Sequence, residues 1–304
     1  MAYSFKIHRK FIGGCFFENH RGAGSRRGHL PIRERILMVR KAFCVGLNDY
    51  LGDGNDLNGC VNDANDWANL LVEHFDFPRS EVRVITDSEA TKQNMVGGIK
   101  DLLAGAGSGD VLVFTNSSHG SYVPDRSGDE PKYDEIICPY DIMQSVLTDD
   151  ELRELFTDLP DGVNLTVISD SCFSGTVTRA APFRPVPDDR RVRFLNPRIR
   201  GDEEFTPTEL NTARSKRPEK YPESGMKEIL LSGASDRQYA TDAIIDNSYH
   251  RAMTYFAIQV IRQANYRITY QELIERLRDL IAADYSQDPQ LEGKDENKQK
   301  QIFS

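Results

Sequence analysis

The 304-residue chain contains no run of roughly 18 apolar residues, so its sequence offers no membrane-spanning helix. Near the start, Phe11-Ile12 and Phe16-Phe17 are separated by Gly13-Gly14-Cys15, which breaks the continuous apolar core a secretory signal needs. Cysteine is sparse. The five, at 15, 44, 60, 138 and 172, show no paired spacing, which excludes a disulfide scaffold and a zinc framework. A cytoplasmic, reducing setting is the expectation. Excess positive charge is also missing: 38 Lys and Arg face 47 Asp and Glu, a net −9. General nucleic-acid binding by the body of the protein is thereby disfavoured. No internal repeat is evident.

What is present is a core-forming chain with generous loops. The hydrophobic fraction is 39% and the charged fraction 28%. At about 100–200 residues per domain, the length fits one large domain or two small ones. Two stretches depart from the average. The first 41 residues hold ten Lys or Arg against Glu18 and Glu34, so this arm carries +8 and the remainder −17. With Gly-Ala-Gly-Ser at 22–25 and little periodicity, 1–40 reads as a basic, disordered extension. Residues 179–224 hold recurrent Pro and eleven Lys or Arg, without an apolar period, and read as a mobile basic linker.

Between these stretches strands alternate with helices. Strands are expected at 41–48, 82–85, 110–115, 135–138, 164–170 and 227–234. Helices are expected from Cys60 to Phe75 with Asn58 as cap, and from Thr91 to Leu103 with Thr91 as cap. Further helices are expected from Thr148, again as cap, to Phe156, from Tyr249 to Ala264 and from Thr269 to Ala283. The alternation predicts an α/β fold, a mainly parallel central sheet with helices on both faces. Residues 286–304 are expected to be a fraying polar tail.

The chemistry concentrates in Leu165-Thr166-Val167-Ile168-Ser169-Asp170-Ser171-Cys172-Phe173-Ser174-Gly175. A strand buried on both faces ends here in a small polar cluster, where open α/β sheets build their sites. Alone, Cys172 is equally well read as a half-buried packing residue. A second buried strand, Asp110 to Thr115, ends in Asn116-Ser117-Ser118-His119-Gly120. Parallel strands put His119 and Cys172 at one sheet edge. An imidazole there can take the thiol's proton, and the N–H groups of Gly120 and Cys172 can donate to an oxyanion. Cys44 and Cys138 fall in predicted strands and read as core residues.

These motifs resemble the metacaspases and their prokaryotic relatives, the orthocaspases. The likeness extends over about 41–283. It includes Gly46-Leu47-Asn48 with Leu57-Asn58-Gly59-Cys60-Val61-Asn62-Asp63-Ala64, then Asp134-Glu135-Ile136-Ile137-Cys138-Pro139-Tyr140-Asp141 with Asp149-Asp150-Glu151-Leu152, and finally Leu231-Ser232-Gly233-Ala234 with Ala252-Met253-Thr254-Tyr255. The resemblance implies a caspase-like three-layer sandwich, with a large-subunit-like part at 41–178 and a small-subunit-like part at 225–285. It implies Cys172 as nucleophile, His119 as base and acid, and cleavage after Arg or Lys. The pocket for that basic side chain maps to Cys60, Asp63, Ser117 and Asp170. It implies calcium at Asp134, Asp149 and Asp150, with Arg179 where a fourth acid is expected. Ser118 stands where Gly is common, and Phe173 where His is common.

From this follow a monomer acting on protein or peptide substrates, and self-cleavage among the arginines of 179–224. Two other readings stay open at this point: a silent binding module of the same fold, and a cysteine hydrolase of non-peptide substrates.

Overall fold

β-Branched and aliphatic runs become strands, and segments with a 3.6-residue apolar period become helices. The computed structural model describes residues 38–50, 54–124, 133–171, 195–202, 223–233, 242–245, 248–284 and 288–304. The first half comprises β1 (Arg40–Gly46), α1 (Cys60–His74), β2 (Val82–Thr86), α2 (Lys92–Leu103) and β3 (Val111–Ser117). There follow β4 (Gly120–Pro124), β5 (Tyr133–Ile137), β6 (Leu147–Thr148), α3 (Asp149–Thr157) and β7 (Asn164–Asp170). The rest comprises β8 (Glu228–Ser232), β9 (Asp242–Ile245), β10 (Ser248–Arg251), α4 (Ala252–Gln263), α5 (Tyr270–Asp284), β11 (Gln290–Glu292) and α6 (Asp295–Lys298).

The main sheet runs β11-β8-β7-β3-β1-β2. All its neighbours are parallel except β11 on β8. Strand alternation sends odd and even side chains to two cores. Ala42, Cys44, Val113 and Ile168 pack with Trp67, Ile261, Leu273 and Leu277 of α1, α4 and α5. Phe43, Val45, Leu112 and Phe114 pack with Met95 and Ile99 of α2 and with Phe156 of α3. The result is a parallel sheet between two covering layers. Because β8 pairs β7, residues before and after the long basic stretch build one sheet.

Several expectations are refined. α1 is not capped by Asn58: its N-cap is Gly59, with no side-chain cap bond. Asn48, after β1, instead offers Oδ1 to the N–H groups of Cys60 (2.9 Å) and Val61 (3.4 Å). Thr91 and Thr148 do cap α2 and α3, the latter in a reciprocal capping box with Glu151. A three-stranded antiparallel sheet, β4-β5-β6, springs from the end of β3, and β10 precedes α4 where helix was expected to begin at Tyr249.

The polar tail does not fray. β11 closes the sheet's edge, and Ile302 and Phe303 are buried in the core. Sparse apolar residues escaped notice there because the few that pack, Leu291, Ile302 and Phe303, are spread through a polar stretch without a period. Part of the basic stretch is also docked: Leu195 is buried, its N–H donates to Gly120 O, and its carbonyl accepts from Ser121 Oγ. The chain divides at Leu37 and Met38, near the predicted end of the basic arm. Residues 1–37 of the arm, 125–132, and the rest of the linker except 195–202 and 223–224 lie outside the described residues.

Candidate active site

At the carboxyl edge of the sheet, β3 and β7 run side by side until Ser117 faces Asp170. His119 follows two residues on and is buried. Its backbone is held on both sides. The His119 N–H donates to Tyr50 Oη at 2.9 Å, and that hydroxyl donates to Cys138 O at 3.1 Å. The His119 carbonyl accepts from Cys138 N at 3.0 Å. Tyr50 thus inserts its hydroxyl where β4 and β5 would otherwise bond directly. Burial pushes the Tyr50 phenol well above its ordinary range, so it stays protonated. Its ring meets the imidazole edge-on, at 4.7 Å between centroids.

The ring is oriented by Asn55. Its backbone carbonyl lies 2.7 Å from His119 Nε2. A carbonyl only accepts, so Nε2 carries the hydrogen in this contact, and Nδ1 is the basic nitrogen of the neutral ring. Gly120, which opens β4, faces Ile137. His119 O and Cys138 N bond across the ladder, so Gly120 is a non-bonded position whose N–H is directed away from β5. Its carbonyl points the same way, toward Leu195 N.

The residues expected to form the acid pocket lie near the same ends of β3 and β7. Cys60 and Asp63 lie in the first turn of α1, both fully buried. α1 can approach β1 this closely because residue 46 is Gly: a Cβ there would sit 2.4 Å from Cys60 O. Ser117 Oγ donates to Asp63 Oδ2 at 2.7 Å. Across the ladder, Asp170 Oδ2 accepts from Thr254 Oγ1 at 2.9 Å, and Trp67 Nε1 donates to the same Thr254 oxygen at 3.3 Å. All four predicted pocket residues are therefore brought together at one sheet edge.

Cys172 itself lies outside the described residues; its neighbour Ser171 is buried at the end of β7. Cys44, Cys60 and Cys138 are buried thiols. Burial pushes the Cys44 thiol up to about 11 and Cys138 higher still, so neither supplies a thiolate near neutral pH.

The family description "metacaspase, peptidase C14 domain" matches residues 40–181, which include His119 and Cys172. Metacaspase-1A of Aspergillus fumigatus is 31% identical over 310 residues, covering 89% of this chain and 72% of that protein. Metacaspase-1 of Pyricularia oryzae is 33% identical over 282 residues, covering 83% and 71%. The chain belongs to the metacaspases. As a metacaspase it is a cysteine-type peptidase, a hydrolase. A crystal structure from Geobacter sulfurreducens resembles this metacaspase with a TM-score of 0.65 at 25% identity, over 88% of this chain and 98% of that one. Caspase-1 from Spodoptera frugiperda does so with a TM-score of 0.54 at 11% identity, over 84% and 86%, which shows the caspase-like fold alone. No helix among the described residues is long and apolar enough to cross a membrane.

The resemblance places calcium at Asp134, Asp149 and Asp150. Asp134 is on β5, while Asp149 and Asp150 open α3. Arg153 binds Asp149 at 2.9 Å and lies 3.8 Å from Asp150. Among the described residues no three His, Cys, Asp or Glu side chains are grouped to hold a metal ion, whereas calcium takes six to eight oxygens. Arg179 lies outside the described residues.

Tyr50, Asn55 and Thr254 were not singled out from sequence. Asn55 acts through its backbone, which no residue type advertises. Thr254 left a trace, as a hydroxyl in an inward-facing stretch of α4.

Proposed function

We propose that this metacaspase cuts peptide bonds after Arg or Lys, with Cys172 as nucleophile and His119 as general base and acid. The observation that carries the specificity is the paired placement of Asp63 and Asp170 around Ser117 at the sheet edge. Two buried carboxylates steered by hydroxyls attract a guanidinium or ammonium and repel an acidic side chain. In the reaction, His119 Nδ1 takes the Cys172 proton and the thiolate attacks the carbonyl carbon. The Gly120 and Cys172 N–H groups receive the oxyanion. The imidazolium then protonates the leaving amine as the C–N bond breaks. Water, deprotonated by the same imidazole, releases the acid from the thioester. The orientation of the Gly120 N–H and the Asn55–His119 contact support this assignment.

The reading extends to self-cleavage between 179 and 224, where Arg190, Arg191, Arg193, Arg214, Lys216 and Arg217 lie in sequence. It also includes action as a monomer in the cytoplasm, where a nucleophilic thiol stays reduced. Fluorogenic peptides bearing Arg, Lys or Asp before the reporter test it, with and without calcium. Wild type should release reporter after Arg and Lys only, and nick itself in 179–224; Cys172→Ala should do neither. Asp63→Asn should lower kcat/KM on the Arg peptide by 30-fold or more, matching the roughly 2–5 kcal/mol lost when one partner of a buried charge pair is removed. Turnover confined to Asp would refute the pocket. No turnover with any peptide would favour a binding module.

A further inference from the structure

The β3–β7 ladder ends at Ser117 and Asp170, one rung short of the residues that flank the reacting groups. Beyond it, side chains take over the pairing. Ser118 precedes His119, Ser171 precedes Cys172, and both are buried together with Asn116. Asn116 Nδ2 lies 3.0 Å from Ser118 Oγ and 2.8 Å from Ser171 Oγ. The two hydroxyls are 3.1 Å apart, and Ser118 Oγ also reaches His119 O at 3.0 Å.

Donor counting orders this cluster. The two Asn116 N–H groups serve one hydroxyl each. Ser118 gives its hydrogen to His119 O, so Ser171 gives its own to Ser118. The hydrogen bonds then run in one direction, from the residue before Cys172 to the carbonyl of His119. The opposite amide orientation would bury two N–H groups without acceptors, which is worse than burying one oxygen. Asn116 Oδ1 is that oxygen: it is buried and has no hydrogen-bond donor among the described residues. A buried acceptor left without a donor is uncommon in ordinary core packing.

We infer that Ser118, Ser171 and Asn116 are positioning residues, a hydroxyl–amide clamp that fixes the His119 backbone relative to Ser171, the residue before Cys172. The clamp rests on the Cys172–His119 reading. A fraction of an ångström between base and nucleophile changes rate steeply while leaving substrate contacts intact. The clamp therefore acts on kcat and on thiol ionisation, not on KM.

The test is a double-mutant cycle of Ser118→Ala and Ser171→Ala in the full chain, with Cys172→Ala as control. Three quantities are read: kcat and KM on an Arg peptide, the pH profile of Cys172 alkylation by iodoacetamide, and thermal melting. Each single variant should lower kcat about tenfold with KM within about twofold. Its alkylation profile should move to higher pH, because a displaced imidazole stabilises the thiolate less. The double variant should be no slower than the slower single, as for groups acting as one unit. Unchanged kcat, multiplying effects, or rate losses that merely follow the folded fraction would overturn the clamp. Wild type that alkylates but turns over no peptide would sink the peptidase reading instead. The alkylation profiles would then decide the clamp by themselves.

Discussion

Tyr50 shows how much one hydroxyl can organise. It takes the His119 N–H and satisfies the Cys138 carbonyl, so a single oxygen joins the end of β3 to β5. Tyr50→Phe would keep the ring against the imidazole and leave both backbone groups buried without that partner. At about 1–3 kcal/mol per orphaned group, urea unfolding should show a loss of about 2 kcal/mol or more. Peptide turnover should fall as well, since the His119 backbone is then held only from its carbonyl side. A variant as stable and as fast as wild type would mean that water replaces the hydroxyl. His119 and Cys172 stood out in the sequence because few residue types can activate or supply a thiol, whereas the pocket positions came only from the family resemblance. Tyr50 and Asn55 did not stand out, because a buried tyrosine and a loop carbonyl look the same whether or not a histidine sits beside them.

At the scale of elements, the C-terminal segment is the most instructive. Phe303 packs edge-on against Phe75 (5.0 Å), Trp67 (6.2 Å) and Tyr270 (6.3 Å). It backs the tryptophan that steadies Thr254 and, through it, Asp170. Phe303→Ala should cost about 3–5 kcal/mol in equilibrium unfolding, the range for truncating a buried phenylalanine. A neutral result would restore the picture of a frayed tail. Local pattern located the caps of α2 and α3, where a threonine bonds a backbone three residues away. It misplaced the cap of α1 because Asn48 reaches that helix across a loop, a contact with no sequence periodicity.

Across the whole molecule, burial of acids that stay protonated sets a limit at high pH. Cys44 is raised from an ordinary 9.0 to about 11, Cys138 further, and the phenols of Tyr50 and Tyr270 are raised as well, in each case first by desolvation. In the unfolded chain these groups lose protons at their ordinary values, while the folded chain holds them. Their contribution to stability is thus complete below about pH 9 and falls as pH rises through the folded values. The slope is about 1.4 kcal/mol per pH unit for each group titrating only when unfolded. Urea midpoints measured from about pH 8 to about pH 11 should decline with increasing steepness. A flat series would show that the thiols and phenols are not held protonated by burial.

Sequence alone determined the alternation of strands and helices, the two polar strand ends and the residue types able to carry peptidase chemistry. These follow from nearest-neighbour physics: side-chain period, capping and the reactivity of a thiol beside an imidazole. Only the tertiary structure decided that Asp63 from α1 meets Ser117 from β3, that Thr254 from α4 steadies Asp170, and that Ser118 and Ser171 touch. Those contacts span 53 to 84 positions along the chain. They exist because the parallel sheet brings distant strand ends to one edge, a consequence of packing that no local window contains.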